Sequence, residues 1–371
     1  VEELSKGLKP GDKPGEELRS AQRELRRLEK FGAPPGVPVA YAVADDRPGD
    51  APVQLRGEPG QTGPPARRRP PSALGPSDGW HVPEGMSGRR QFADWLTRPD
   101  NPLPARVMVN RIWQHHFGVG LVSTPSNFGS RGAEPSHPAL LDYLARRFID
   151  SDWSVKSLHR LILTSRTWRL ASDTDVVGIA RDPGNRMAWR HGRRRLEAEE
   201  IRDTLMSIAG RLDLARPGEH PFPGFDDWHW TQHNPFKAVY ASPHRSVYLM
   251  TQRLQRHPFL ALFDAPDANV STDVRARSTV PQQALFALND GDVGEWAGAW
   301  AARVLASHDG EEARLASAWS EAWQRPPSGT EVAAARRFLD GARRLFRSEG
   351  MDPGSAETAA WARLARLLMV S

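Results

Sequence analysis

The sequence predicts a mainly α-helical protein with a small β element near its N-terminus. Two observations lead to this prediction. Beyond residue 88, apolar side chains recur at spacings of three and four residues, which places them on one face of successive helices. Between these segments lie Gly, Pro and Asn residues, which end helices and form turns. The segment SVYLMTQ at 246–252 lies between turn signals and is compatible with a short strand pair.

The first 87 residues divide into two parts of different character. Residues 1–33 predict a charged helix that links to a preceding domain, with a leucine on every turn or two of one face. Residues 34–87 are rich in Pro and Gly. Within them, VPVAYAVADD and APVQLRGE predict two short strands, and the prolines between 64 and 76 predict an extended linker.

Residues 88–371 predict one helical domain that begins with a compact block at 89–172. In this block, one helix is expected from about Pro104 to Phe117, where Gly118 would end it. Two further helices are expected after Ser136 and after Ser154, which are good N-cap residues. A strong helix at 195–212, an irregular segment at 213–243, a short helix in HPFLALFDAP and several helices over 281–371 complete the domain.

Composition excludes several classes of function. The 371 residues contain no Cys, so disulfides and thiol chemistry are ruled out, and no apolar run is long enough for a membrane span. The net charge is +5, but 44 of the 50 basic residues are Arg, and acids are interleaved with them, as in RRRLEAEEIRD at 193–203. Because such Arg–Glu spacing is ordinary support for a helix surface, we do not expect nucleic-acid binding.

The irregular segment at 219–245 is the first candidate site. Exposed aromatic rings beside carboxylates suit sugars, whose apolar faces pack on rings. Candidate sugar-binding residues are Trp228, Trp230 and Tyr240. Histidines four apart beside an acid could also serve acid–base chemistry or hold a metal. The catalytic candidates are Asp226, Asp227, His229 and His233, and the metal candidates are His229, His233 and Asp226. The alternative is a loop whose aromatic side chains dock onto the helical core.

A second candidate lies in FDAPDANVSTDVRARSTVPQQALFALND, just before a helix expected near Pro281 with Ser278 or Thr279 as its cap. An anion could dock at this helix N-terminus, or the polar residues could instead form a network of turns and ion pairs. The residues concerned are Asp264, Asp267, Arg275 and Arg277. From the helical block, Asn110, Arg111 or His116 would face these loops if a site exists.

Five stretches between about 89 and 290 carry a specific family resemblance. They are DNPLPARVMVNRIWQHHFGVGLVSTPSNFG, SHPALLDYLARRFIDSDWSVKSLHRLILTS, RRRLEAEEIRDTLMSIAGRLD, RSVYLMTQRLQRHPFLALFDAPDANVS and STVPQQALFALND. This pattern resembles the planctomycete PSD-type domain, domain of unknown function 1553, of predicted-secreted cytochrome-like proteins. The resemblance implies upstream cytochrome-like domains in the same protein as partners. It also implies a secreted or periplasmic location, with haem only on the upstream part, because this chain has no Cys for a CxxCH motif.

These observations lead to two functional hypotheses. The first is a non-catalytic interaction module of a larger secreted or periplasmic protein, which binds a polysaccharide or a partner redox domain. The alternative is a hydrolase that acts on (sulfated) polysaccharide through an Asp/His site, with or without a metal. No GxSxG, HExxH, Walker or GxGxxG motif names a reaction, so the residues alone leave both hypotheses open.

Overall fold

The computed structural model of the chain describes residues 15–31, 44–74, 79–220, 229–231 and 233–370. Within these residues, contacts between backbones define two compact units. The first contains the described residues up to Met108, and the second begins at Val109 and contains the remainder. Helices dominate, and the described strands form one two-stranded antiparallel sheet. The predicted mainly α-helical class with a small β element is therefore confirmed.

The first unit contains α1 (Glu16–Phe31), β1 (Ala51–Gln54), β2 (Thr62–Ala66) and α2 (Arg89–Leu96). Strand β1 lies where APVQLRGE predicts one, but its antiparallel partner is β2, from the segment expected to be a linker. Residues 37–43 of the strand expected in VPVAYAVADD lie outside the described residues, and residues 44–46 form no strand. Neighbouring residues of a strand direct their nitrogens to opposite edges, so the outer edge of β2 accommodates one of Pro64 and Pro65. The register is irregular between Pro52 and Gln54 of β1, where pairing does not need the second N–H.

The stretch that follows β2 is tied down by side chains. The Nε of Arg68 donates to Asp50 Oδ1 at 2.9 Å, and the indole of Trp80 donates to the Arg68 carbonyl oxygen at 2.7 Å. Asp45 accepts a hydrogen bond from the Ser87 backbone at 3.0 Å. Polar contacts rather than a large apolar core therefore hold this part of the chain.

Helix α3 (Pro102–Phe117) spans the division between the two units, and ten further helices lie in the second unit. They are α4 (Pro138–Asp150), α5 (Val155–Leu163), α6 (Val176–Arg181), α7 (Ala198–Ile208), α8 (Pro258–Leu262), α9 (Pro281–Asn289), α10 (Gly291–Ser307), α11 (Glu311–Trp323), α12 (Gly329–Ser348) and α13 (Pro353–Val370). In the described part of the chain, none of these helices is both long and apolar enough to cross a membrane.

The predicted helices of the block at 89–172 are confirmed. Gly118 ends α3 with a φ of +84°, a conformation that favours glycine. The hydroxyl of Ser154 caps α5 by accepting the Ser157 backbone N–H at 3.2 Å. The cap of α4 is His137 rather than Ser136, whose hydroxyl instead lies 3.0 Å from the His137 ring.

Two local predictions between residues 246 and 281 are wrong. Ser246–Tyr248 forms a 3₁₀ turn instead of a strand, because the amide and hydroxyl of Ser246 both donate to Asp203 Oδ1, at 2.8 and 2.7 Å. Helix α9 is capped by Val280 rather than by Ser278 or Thr279. Ser278 lies two residues before the N-cap position, and its hydroxyl donates to Asp264 at 2.8 Å.

The C-terminal helices α10 to α13 surround the largest apolar core. Trp300 and Leu339 are fully buried there, and Trp361 is 2% exposed. Two of the buried indole N–H groups find carboxylates: Trp300 donates to Glu321 at 3.0 Å and Trp361 donates to Glu357 at 2.9 Å. The indole N–H of Trp319, in the same core, is buried without a hydrogen-bond partner among the described residues.

Candidate anion-binding site

A cleft of about 630 Å³ opens on the second unit and is strongly cationic. Five guanidinium groups line it, and none of the described residues in its lining is acidic. They belong to Arg186, Arg190, Arg193, Arg194 and Arg277. This volume lies in the range of pockets that hold small organic ligands, about 300–1,000 Å³. A cleft of this size and sign is suited to an anionic ligand.

The lining also contains apolar side chains, which come mainly from α3 and the turn that follows it. Trp113 and Phe117 stack on each other with ring centroids 4.2 Å apart. Leu121 and Leu140 extend this surface. Uncharged polar side chains and one imidazole also line the cleft, on Ser123, Ser136, His137 and Thr167. The cleft therefore combines an apolar surface with a cationic one, and a ligand would need both characters to fill it.

The loop at 182–192, which carries two of the arginines, is braced by its own side chains. The Asp182 carboxylate accepts the backbone N–H groups of Arg186 and Met187, at 2.9 and 2.8 Å. The Asn185 amide donates to the Arg190 carbonyl oxygen at 2.9 Å. Asn185 has a φ of +53°, which Asn tolerates better than most residues. The loop is therefore ordered before any ligand arrives.

Helix α6 supports this loop through a glycine. The Trp189 indole donates to the Asp182 carbonyl oxygen at 3.0 Å, which fixes its ring. The ring lies flat against Gly178, where an added Cβ would be only 2.8 Å from ring atoms. The Arg190 guanidinium lies 5.1 Å from the centroid of the same ring. Because Gly178 has no side chain, the Trp189 ring can pack closely against α6. This packing positions the neighbouring Arg190.

The five guanidiniums differ in how far their charge is already neutralised. Arg194 makes a bidentate ion pair with Glu200, at 2.7 and 2.9 Å, and this carboxylate raises the pKa of Arg194. The Nε of Arg190 is buried without a hydrogen-bond partner among the described atoms. Arg186, Arg193 and Arg277 are exposed and pair with none of the carboxylates that the structure describes. Four of the five groups can therefore meet a ligand.

Comparison with known proteins places this site in a family. Residues 88–339 match the model of a family described as "Protein of unknown function (DUF1553)". The chain belongs to this family. All residues that line the cleft, from Trp113 to Arg277, fall inside the matched part of the DUF1553 domain. Neither a curated protein nor a solved structure matches the chain.

In the first candidate segment of this DUF1553 domain, three of the predicted residues, Asp226, Asp227 and Trp228, lie outside the described residues. His229 and His233 are exposed.

Trp230 is half-buried with its ring edge-on to Phe236, at 4.8 Å between centroids. Tyr240 is half-buried beside a cavity of about 10 Å³ that His257 also lines. In the described part, no three His, Asp or Glu side chains could together hold a metal, and the metal candidate Asp226 lies outside it.

In the second candidate segment, most of the charged groups are engaged with neighbours. Asp264 accepts from the Ser278 backbone at 2.7 Å, and Asp267 accepts from the Asn269 backbone at 2.8 Å.

The Arg275 guanidinium pairs with two carboxylates of the N-terminal turn of α7, Glu197 at 2.9 Å and Glu199 at 2.6 Å. Arg277 differs, since it lines the cleft. The structure thus separates Arg277 from the other three residues.

The three candidates on α3 go to different surroundings. Asn110 is fully buried and bonds the backbone of Val122 in both directions, at 3.0 and 2.8 Å. Arg111 is exposed. The Nε2 of His116 lies 2.8 Å from the Nδ1 of His159, and burial is the main cause that lowers the pKa of His116. None of the three lines the cleft directly.

Four of the five cleft arginines are not among the residues predicted from sequence. From the sequence, the three arginines at 193–195 are interpreted as surface support for a helix because glutamates follow them. The ion pair between Arg194 and Glu200 agrees with that interpretation for one of the three. The stretch RMAWRHGRRR at 186–195 nevertheless holds five arginines in ten residues without an acid. This local excess of positive charge is the sequence signal from which the cationic surface could have been predicted.

Proposed function

We propose that this DUF1553 domain is a non-catalytic interaction module that binds an acidic polysaccharide in the arginine-lined cleft. The observation that carries the proposal is the lining itself: five guanidiniums and no acidic side chain among the described lining residues. Guanidinium groups bind sulfate, phosphate and carboxylate groups through paired N–H donors. Like charges that line one cleft repel each other, and this repulsion destabilises the fold unless an anion occupies the cleft.

The shape and chemistry of the lining favour a sugar polymer over a small anion. Arg186, Arg193 and Arg277 are separate exposed cations, which together suit a ligand with several anionic groups. The apolar side chains of Phe117 and Leu140 suit the C–H faces of a pyranose, and the hydroxyl groups in the lining can bond to sugar hydroxyls. A free sulfate ion would leave most of the 630 Å³ unfilled.

The proposal extends to the setting of the domain. We infer a secreted or periplasmic protein in which cytochrome-like domains upstream carry haem, as the family resemblance implies. By binding the polysaccharide, this domain would hold the upstream redox domain close to that polymer. The upstream domains are then the covalent partners of the module, and the polysaccharide is its ligand. The cofactor belongs to them, since this chain has no Cys to attach it.

Titration calorimetry with a dextran sulfate oligosaccharide tests the proposal, with neutral dextran of equal length as the reference ligand. Dextran sulfate should bind, and its affinity should fall as salt rises, because screening weakens each contact. The double variant Arg193→Ala/Arg277→Ala removes two exposed cleft cations and should weaken binding by at least about tenfold. The matched control is Arg337→Ala, an exposed arginine of α12 that is outside the cleft lining.

Three results would contradict the proposal. Equal binding of neutral dextran and dextran sulfate would show that charge does not select the ligand. Equal losses in the double variant and in Arg337→Ala would place binding outside the cleft. Tighter binding of a single-stranded oligonucleotide than of dextran sulfate would assign the cleft to nucleic acid and overturn the assignment to polysaccharide.

A further inference from the structure

A pair of hydrogen-bonded histidines lies immediately behind the cleft. His116 comes from the last turn of α3, and His159 comes from α5. Their facing nitrogens, Nε2 of His116 and Nδ1 of His159, are 2.8 Å apart, so one ring donates an N–H to the other. The outer nitrogen of the donor ring can accept one proton without breaking this bond, whereas a second proton would place hydrogens on both facing nitrogens. The pair is therefore built to hold one additional proton.

The surroundings of the pair connect it to the cleft. The residues next in sequence to His116 and Trp168, namely Phe117 and Thr167, line the cleft. The Trp168 ring lies edge-on to His116, with 5.3 Å between centroids. The charged or titratable groups that face the pair from the packed elements are His115 of α3, His191 beyond Trp168, and Arg194 with its partner Glu200. Arg194 therefore belongs to both the cleft lining and the environment of the pair.

The environment of His116 favours the neutral form of its ring. Burial is the largest cause that lowers the pKa of His116, followed by the charges of His159, His115 and Arg194. An anion in the cleft would oppose the field of Arg194 and the other guanidiniums. Since a nearby negative charge favours the protonated form of histidine, ligand binding and protonation should assist each other.

We infer that binding of an acidic ligand in the cleft is coupled to the uptake of one proton by the His116–His159 pair, so that affinity rises in acidic surroundings. This inference rests on the proposed function, because it needs an anion in the cleft. It adds that the module would hold its ligand more tightly at mildly acidic pH than near neutrality.

The sign of the linkage follows from the direction of the shift. Because the pKa of His116 is lowered in the empty protein, its folded state takes up fewer protons than the unfolded chain just below about pH 6.5. The stability of the empty protein should therefore be full above that pH and fall as pH decreases through the lowered pKa. A bound anion should reduce this loss, because it raises the pKa of the pair.

Calorimetry at about pH 6 in two buffers of different ionisation enthalpy measures proton uptake directly. His137 lines the cleft itself, so all proteins compared carry His137→Gln to remove that imidazole. On dextran sulfate binding, the reference protein should take up a measurable fraction of one proton. Its affinity should rise about threefold to tenfold between pH 7.5 and pH 5.5. The variant His116→Phe/His159→Phe keeps two aromatic rings in place and should lose most of the proton uptake.

NMR of the imidazole nitrogens offers a second measurement that needs no change to the pair. Adding dextran sulfate should raise the apparent pKa of the pair by about half a unit or more. An unchanged pKa, or equal proton uptake in the variant without the pair, would overturn the inference and leave the proposed function standing. Absence of dextran sulfate binding at every pH would overturn both. His308→Gln serves as a control histidine outside the cleft lining.

Discussion

At the scale of single residues, Asn110 shows how a polar side chain inside an apolar helix serves structure. Its amide is fully buried and satisfies both the N–H and the carbonyl oxygen of Val122. Gly120 lies so close that an added Cβ would be 2.6 Å from the Asn110 amide nitrogen. The side chain therefore holds the turn at 118–123, which supplies part of the cleft lining, against α3.

We predict that Asn110→Ala destabilises the protein by about 2–4 kcal/mol, because it leaves two backbone groups of Val122 buried without partners. Urea denaturation followed by circular dichroism measures the change. The neighbouring substitution Arg111→Ala is the control, since Arg111 is exposed, and it should change stability by less than about 0.5 kcal/mol. Equal denaturation midpoints for the two variants would show that the Val122 contacts contribute little.

At the scale of elements, the loop at 182–192 and helix α6 act together. The helix has only six residues and exposes Val176 and Val177, so little burial of its own stabilises it. Its contribution is the bare backbone at Gly178, against which the Trp189 ring packs. Asp182 and Asn185 then complete the loop by hydrogen bonds to its backbone. The position of Arg190 thus depends on an element with few contacts elsewhere.

Gly178→Ala tests this dependence. The added methyl would lie 2.8 Å from the Trp189 ring, so the ring and the loop must move. We expect affinity for dextran sulfate to fall about threefold to tenfold while global stability changes by less than about 1 kcal/mol. Gly341→Ala in α12 is the matched control, because its Cβ would meet open space. Unchanged affinity in Gly178→Ala would mean that the loop does not need the support of α6.

At the scale of the whole molecule, the main apolar core and the cleft are formed by different parts of the second unit. Helices α10 to α13 build the core, whereas the cleft lining ends at Arg277. Helix α13 lies beyond residue 339, where the family match ends, yet it packs on α10 and α12 and buries Trp361. The stability of this unit therefore depends on residues outside the matched range.

Truncation of the central core ring should separate stability from binding. Trp300→Ala is expected to cost about 3–5 kcal/mol of unfolding free energy, because Trp300 is fully buried. Protein that remains folded should bind dextran sulfate with unchanged affinity. Leu345→Ala on α12 is the control, since this side chain is 55% exposed, and thermal denaturation with calorimetry measures both effects. A loss of affinity in folded Trp300→Ala would show that the core and the cleft are coupled.

The success of sequence-based prediction follows the range of the interactions involved. The helix from Pro102 to Phe117 and the cap at Ser154 are readable because periodicity and capping act over a few residues. The segment at 246–252 is misread because its turn depends on Asp203, more than forty positions away. The partner of β1 is likewise misassigned, because strand pairing is a choice between segments that each look plausible alone.

By itself, the sequence determined the mainly helical class, the approximate positions of the central helices and membership of the family, because these depend on local pattern and residue order. Only the tertiary structure decided which arginines pair with carboxylates and which line the cleft. It pairs Arg194 with Glu200 and Arg275 with two glutamates, while it brings Arg277 to the same cleft as Arg193, 84 positions away. The physical reason is that convergence of charges depends on how distant segments pack, which no local pattern encodes.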